Sequence, residues 1–265
     1  MSMRLTRVPL RMSSTLASTA RSAEVQQQLA DIKSRVHQIT TGQDREPTLV
    51  AVSKYKPAVD IQACYEVGHR HFGENYVQEL VEKAEQLPKD IHWHFIGTLQ
   101  SNKARLITSI PNLHTVQTVS SQKLATALNK NWTDDRESLL NVLIQVNTSG
   151  EDSKSGVSPQ DAELVNLARF VVDSCPRLYL RGLMTIGSLS ESLSGDENRD
   201  FDLLKKTRDE LQATLKEQGV NRWGKDGELI LSMGMSSDFE AALRAGSDIV
   251  RVGTGIFGER IKKIP

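Results

Sequence analysis

Short apolar runs alternate with helical patterns along most of this 265-residue chain. In the first unit, an apolar run at residues 49–52 precedes a helical pattern that Pro57 opens and Gly68 closes. Similar apolar runs follow at residues 71–73, 93–96, 113–116, 139–146, 178–184, 229–231 and 249–252. Strands that alternate with helices at this spacing form parallel sheets. The alternation therefore predicts an α/β fold.

Eight such units are the number that a closed (β/α)8 barrel of the TIM type requires. An open, doubly wound sheet is the alternative, because strands of both folds are buried on both faces and read as continuous apolar runs. An amphipathic pattern at residues 24–39 predicts one extra helix before the first strand. We therefore expect a single barrel domain over residues 23–265, with an extra N-terminal helix.

The first 22 residues differ in composition from the rest. They carry four arginines among serines and threonines, and no acidic residue precedes Glu24. This composition suits a mitochondrial presequence, and a disordered leader explains it equally well. We exclude residues 1–22 from the predicted barrel and expect the protein in the cytoplasm, in mitochondria or in both.

The composition excludes several classes of partner. Thirty-three basic and thirty-three acidic residues give no formal net charge, which removes the usual electrostatic argument for nucleic acid. No apolar run approaches the roughly 18 residues that a membrane-spanning helix needs. Cys64 and Cys175 form no metal-binding motif, so we expect free buried thiols. A small-molecule ligand is favoured.

Lys54 is the first candidate for chemistry. The active site of a barrel lies at the carboxyl ends of its strands, and Lys54 ends the first predicted strand with an apolar wall behind it. Such surroundings favour the neutral amine, which is the form that reacts to a Schiff base. From this position alone, a lysine that marks the strand edge and points to water is the simpler interpretation.

Two glycine-containing loops follow the seventh and eighth predicted strands, where barrels often bind phosphate. In the first loop, Ser236 precedes a predicted capping box of Ser237 and Glu240. In the second, Gly253 and Thr254 form a turn into a short helix. A simple helix start explains either loop alone. Both loops at the expected strands predict a phosphate site.

A closed barrel pairs its eighth strand with its first, so Lys54 and the two loops can hold opposite ends of one ligand. An aldehyde that reacts with an amine and carries a phosphate is pyridoxal 5'-phosphate (PLP). Arg251, at the end of strand eight, could face the pyridine nitrogen and keep it unprotonated, although a salt-bridged strand-end arginine is the alternative. A Schiff-base aldolase for a phosphorylated sugar would use the same lysine and loops.

Six ordered motifs resemble one protein family: AVSKYKP, FGENYVQE, WHFIGTLQSNK, GLMTIG, LSMGMSSDF and RVGTGIFG. Over about residues 25–258, the chain is similar to the pyridoxal phosphate homeostasis protein family, the YggS/PROSC group. The fold of that family resembles the barrel domain of alanine racemase. The resemblance implies that PLP is the cofactor and that Lys54 holds it as a Schiff base.

The resemblance also assigns roles to the other residues of the site. It implies that the PLP ring is bordered by Asn75 and Ile96, and that the site is lined by Met184. It further implies that the phosphate is held by Ser236, Gly253 and Thr254. Arg251 would meet the pyridine nitrogen, and Ser232 is an additional expected member.

Racemisation through PLP needs a base on each face of the substrate α-carbon. Alanine racemases place a tyrosine four residues after their lysine, and that position is Ala58 here. They supply the second base from a further domain, whereas this chain ends at Pro265, just after the eighth unit. We therefore expect a monomeric PLP-binding protein that stores, protects or delivers PLP, with PLP-dependent apoenzymes as recipients. A PLP-dependent amino-acid racemase is the alternative.

Two histidine pairs are a further signal. His69 with His71, and His92 with His94, each place two imidazoles on one strand face, a spacing that zinc sites use. No further histidine or carboxylate motif completes a ligand shell at a strand end. We therefore expect no metal site.

Overall fold

A computed structural model describes most of the chain. The described residues are 11–43, 45–136, 138–151, 154–160, 162–188, 198–225 and 227–259. The first ten residues of the predicted leader therefore lie outside the described residues, as do the side chains of residues 11–18.

Eight parallel strands form a closed barrel in the order in which they occur along the chain. They are β1 (Thr48–Val52), β2 (His71–Glu74), β3 (His92–Phe95), β4 (Leu113–Val119), β5 (Leu140–Gln145), β6 (Leu178–Met184), β7 (Ile230–Ser232) and β8 (Ile249–Val252). The last strand pairs with the first, from Thr48 with Ile249 to Ala51 with Val252. This closure confirms the predicted TIM-type barrel and excludes the open sheet.

Helices cover the outside of the barrel, and one of them precedes the first strand. They are α1 (Arg11–Thr40), α2 (Ala58–Glu66), α3 (Val77–Gln86), α4 (Ala104–Thr108), α5 (Gln122–Asn131), α6 (Ala162–Ser174), α7 (Arg199–Glu217), α8 (Phe239–Arg244) and α9 (Thr254–Phe257). A 3-10 turn, Ser101–Lys103, leads into α4. Among the described residues, no helix combines the length and the apolar character needed to cross a membrane.

The strands bury both of their faces, and each face belongs to a different apolar cluster. In β1, Leu49 and Ala51 pack in the large cluster between strands and helices, whereas Val50 and Val52 belong to a smaller cluster inside the barrel. Successive side chains of a strand point to opposite faces, which explains this division. The apolar runs of the sequence are continuous because neither face meets water.

The first helix begins earlier than predicted and crosses the proposed leader boundary at residue 22. Arg21 donates hydrogen bonds to the Asp60 carboxylate and to the Phe257 carbonyl, each at 2.8 Å. The bond to buried Asp60 raises the pKa of the Arg21 guanidinium. Arg21 therefore belongs to the packed structure, and the domain boundary itself stays a prediction.

Both cysteines are buried and free. Burial raises the pKa of the Cys64 thiol to about 12 and that of the Cys175 thiol to about 11. The expectation of free buried thiols is confirmed, and at neutral pH both groups are protonated and inert.

Candidate functional site

Lys54 lies half-buried in the turn directly after β1, at the carboxyl end of the barrel. The next residue, Tyr55, has a positive φ of 62°. A residue other than glycine rarely adopts this left-handed conformation, so the surrounding contacts must hold it. One such contact is the hydrogen bond that the Tyr55 backbone N–H donates to the Glu79 carboxylate at 2.8 Å. The turn is therefore fixed in place on both sides of Lys54.

A buried ion pair stabilises the end of β1, directly before this turn. The ammonium of Lys83 contacts the Glu74 carboxylate at 2.5 Å and donates to the Ser53 carbonyl at 2.8 Å. The Ser53 hydroxyl donates to the same Glu74 carboxylate at 2.7 Å. Burial raises the pKa of Glu74, and the positive charge of Lys83 opposes this shift. These three residues hold the end of β1 in place. None of them was predicted from the sequence as a site residue.

Asn75 and Ile96 follow β2 and β3 at the same end of the barrel. The Oδ1 atom of Asn75 is buried and has no hydrogen-bond partner among the described residues. Buried polar atoms are normally paired, so this acceptor is suited to a ligand. Gly97 approaches so closely that a Cβ there would lie 1.9 Å from the Asn75 carbonyl oxygen. Asn75 is thus held firmly while its side-chain oxygen remains unpaired.

Apolar side chains lie inside the barrel at the same end. Ile96, directly after β3, and Met184, the last residue of β6, are buried in one cluster with Val52 of β1. That they border a planar ring stays a prediction. Small-molecule sites commonly combine such apolar side chains with a few polar atoms.

The loops after β7 and β8 contact each other. The hydroxyl oxygen of Ser236 accepts hydrogen bonds from the backbone N–H groups of Gly253, at 3.1 Å, and Gly255, at 3.4 Å. Gly234, in the first loop, has a φ of 91°, which glycine adopts without strain. The Ser236 oxygen occupies a position where an oxygen of an anion could accept the same two N–H groups. Thr254 lies exposed beside them.

The predicted capping box of Ser237 and Glu240 was wrong. The residue that precedes α8 is Asp238, and no side chain caps the helix there. Asp238 instead accepts a hydrogen bond from the Met235 backbone N–H at 2.6 Å, which closes the loop before the helix starts. Glu240 forms an ion pair with Arg35 of α1 at 2.7 Å. The loop is therefore shaped by its own turn and not by a helix cap.

Arg251 is buried and reaches across the carboxyl end of the barrel. Its guanidinium donates to the Ser232 hydroxyl and to the Thr185 carbonyl, both at 2.7 Å. Both acceptors are neutral, so these bonds are not the salt bridge considered as the alternative. Burial lowers the pKa of Arg251 to about 10, which leaves the side chain charged at pH 7. Two of its five N–H donors are used in these bonds.

Ser232 supports Arg251 and does not join the phosphate-type loops. Its hydroxyl accepts from Arg251 and donates to the Gln117 side-chain oxygen at 2.7 Å. It is completely buried. Ser232 therefore lies in a polar network inside the barrel, whereas Ser236 lies at the two loops.

Barrel closure brings the two halves of the site together. A Cβ added to Gly253 would lie 3.2 Å from the carbonyl oxygen of Val52, two residues before Lys54. The Schiff-base candidate and the loop candidate thus follow neighbouring strands, as the sequence predicted. This arrangement can hold a ligand that has a carbonyl group at one end and an anionic group at the other.

Comparison with known proteins agrees with this geometry. Residues 22–261 match the family model described as alanine racemase, N-terminal domain. The pyridoxal phosphate homeostasis protein of Schizosaccharomyces pombe is 46% identical over 237 residues, which are 88% of this chain and 92% of that protein. The chain belongs to the pyridoxal phosphate homeostasis protein family. The resemblance that the six motifs indicated is therefore confirmed.

Solved structures place the family in its fold class. One of them is a structure of PipY from Synechococcus elongatus with PLP bound. PipY is 31% identical to this chain, and the two structures superpose with a TM-score of 0.70. The alignment covers 88% of this chain and 100% of that chain. Alanine racemase from Corynebacterium glutamicum is 16% identical with a TM-score of 0.62, and this chain covers 64% of it. The racemase likeness shows a shared barrel fold and nothing about activity.

The Lys83–Glu74 pair generates a stability prediction. Replacing Lys83 with methionine leaves the buried Glu74 carboxylate without its cation, which costs about 3–5 kcal/mol when one partner of a buried pair is removed. Urea unfolding followed by circular dichroism measures this loss. The matched control is Lys123→Met, at an exposed position of α5, where a change within about 0.5 kcal/mol is expected. Equal losses in the two variants would contradict the assigned role.

Proposed function

We propose that this protein binds PLP as a Schiff base on Lys54 and acts in PLP homeostasis by storing, protecting or delivering the cofactor. The observation that carries the proposal is the position of Lys54 beside the meeting point of the Ser236 and Gly253 loops. The PLP-bound structure of PipY supports the choice of ligand. PLP, when bound, supplies an electrophilic aldehyde and an electron-accepting ring.

The residues of the site fit the separate parts of PLP. Lys54 supplies the amine for the aldehyde, and the backbone N–H groups of Gly253 and Gly255 converge as donors for a phosphate oxygen. The ring would lie against Ile96 and Met184, and the unpaired Asn75 oxygen could accept a hydrogen bond from the 3-hydroxyl group of the ring.

Arg251 supports a binding role over a catalytic one. Its charged guanidinium is held at the barrel mouth by Ser232 and Thr185. A permanently protonated group opposite the pyridine nitrogen donates to that nitrogen and keeps it unprotonated. The ring then withdraws electrons less strongly from a bound amino acid. Ala58, at the position of the racemase tyrosine, removes one candidate base.

Substitution of Lys54 tests the covalent attachment. Purified protein mixed with PLP should develop the visible absorbance of a lysine–PLP Schiff base, and Lys54→Ala should lose it. Lys56→Ala is the matched control, because Lys56 lies two residues away and its ammonium donates to the Glu259 carbonyl. We expect the control to keep the wild-type absorbance. An unchanged band in Lys54→Ala would overturn the assignment.

The loops can be tested by comparing PLP with pyridoxal, which lacks the phosphate. With phosphate bound, the Ser236 hydroxyl would leave the Gly253 and Gly255 N–H groups to the ligand and turn to donate to it. Ser236→Ala removes that donor and should reduce the preference for PLP at least about tenfold, the value of one hydrogen bond to a charged group. Ser237→Ala, at the next and exposed position, should leave the preference unchanged. Titration of each variant with both ligands measures the ratio of dissociation constants. A Ser236→Ala protein with wild-type preference would place the phosphate elsewhere.

The racemase alternative has one structural observation in its favour. The hydroxyl group of Tyr55, the residue after Lys54, is hydrogen-bonded to the hydroxyl group of Tyr76, which follows β2 at the same end of the barrel. Both residues are about half exposed, at 55% and 47%, so their hydroxyl groups can exchange protons with water. We expect PLP-loaded protein to turn over a panel of L- and D-amino acids no faster than free PLP. Robust turnover that Lys54→Ala abolishes would establish a PLP enzyme.

A further inference from the structure

Four histidines lie together at the amino-terminal end of the barrel, opposite the Lys54 site. His71 and His92 begin β2 and β3, His94 is the third residue of β3, and His114 is the second residue of β4. The ring centroids of neighbouring members lie between 4.7 and 5.6 Å apart. Histidine spacing within single strands does not reveal His114, because only the pairing of β4 with β3 brings it to the other histidines.

Three of these imidazoles have ring nitrogens close enough together to bind the same ion. One nitrogen each from His71, His94 and His114 lies within 4.8 Å of the other two. The closest pair is His71 Nδ1 and His94 Nε2, at 3.0 Å. Zinc–nitrogen bonds of about 2.0–2.1 Å in tetrahedral geometry place ligand nitrogens about 3.3–3.4 Å apart. Small side-chain movements therefore suffice to reach that geometry.

Each of the three rings has its other nitrogen held by a neighbour. His114 Nδ1 pairs with the Thr115 hydroxyl at 2.7 Å, and His71 Nε2 pairs with His92 Nδ1 at 3.3 Å. His94 Nδ1 pairs with the Gln117 side-chain amide at 3.0 Å. Metal-binding histidines are typically oriented by such bonds to the nitrogen that does not bind the metal. Coordination through Nε2 makes His94 Nδ1 a donor, so Gln117 would turn its amide oxygen towards it.

The surroundings leave room for an ion. His71, His94 and His114 border a cavity of about 150 Å³, which is also lined by two carboxylates, Glu46 and Asp248, and by two cationic side chains, Arg181 and Lys225. An ion bound there would therefore be held mainly by the three imidazoles.

We propose that His71, His94 and His114 bind one divalent first-row transition metal ion, with Zn²⁺ as the best match. A set of three imidazoles without carboxylate ligands suits such ions and not Mg²⁺ or Ca²⁺. Three protein ligands leave a fourth position of the tetrahedron open to water. The ion would tie β2, β3 and β4 together at the end of the barrel that the PLP site does not use.

Metal binding to the purified full chain without a histidine tag tests the proposal. Calorimetric titration with Zn²⁺ should give one equivalent, and Co²⁺ should give the intense visible bands of a four-coordinate site. His71→Ala and His114→Ala should each weaken binding at least about tenfold, since even outer-shell changes cost about 10–100-fold. The matched control is His37→Ala on α1, an exposed position outside the cluster, which should bind as wild type does.

A second variant separates loss of the site from loss of the fold. Thr115→Val keeps every histidine and removes only the partner of His114 Nδ1, and it should weaken Zn²⁺ binding about tenfold. Circular dichroism establishes which variants are folded. The proposal is overturned if the wild-type chain binds no equivalent of Zn²⁺, or if folded His114→Ala and Thr115→Val bind it as tightly as wild type.

Discussion

Pairing of β8 with β1 closes the barrel and sets the two halves of the proposed site next to each other. The four paired positions run from Thr48 and Ile249 to Ala51 and Val252, so both strands end at the same level. Lys54 and Gly253 then leave the barrel on adjacent strands. Neither residue is distinctive alone, and in an open doubly wound sheet the first and last strands would not be paired with each other. Formation of the proposed binding site therefore depends on closure of the sheet.

A chain of hydrogen bonds inside the barrel connects the carboxyl end with the amino end. It runs from Arg251 through the Ser232 hydroxyl and the Gln117 amide to His94. In the orientation found here, every donor points towards the histidine cluster. Polar networks inside a protein specify one arrangement when all members are paired. Within this network the Ser232 hydroxyl accepts a hydrogen bond from Arg251, and its place at a bound ligand stays a prediction.

The sequence was sufficient to predict the features that repeat or that lie at strand ends. The apolar runs predicted the eight strands, and the position of Lys54 after the first run placed it at the carboxyl end of the barrel, where the proposed site lies. Features that depend on contacts between distant elements were missed. The Lys83–Glu74 pair links α3 to β2, and the His71–His94–His114 cluster needs three strands in register. The capping box was misread because the pattern does not reveal that Asp238 closes the preceding turn.

Chemical trapping tests the proposed covalent attachment of PLP to a single lysine. Borohydride reduction of PLP-loaded protein converts a Schiff base to a stable amine, and peptide mass spectrometry then locates the modified residue. The structure predicts a single pyridoxyl group on Lys54, in the peptide that contains the turn after β1. Modification of Lys56 or of scattered surface lysines, with Lys54 unmodified, would contradict the account.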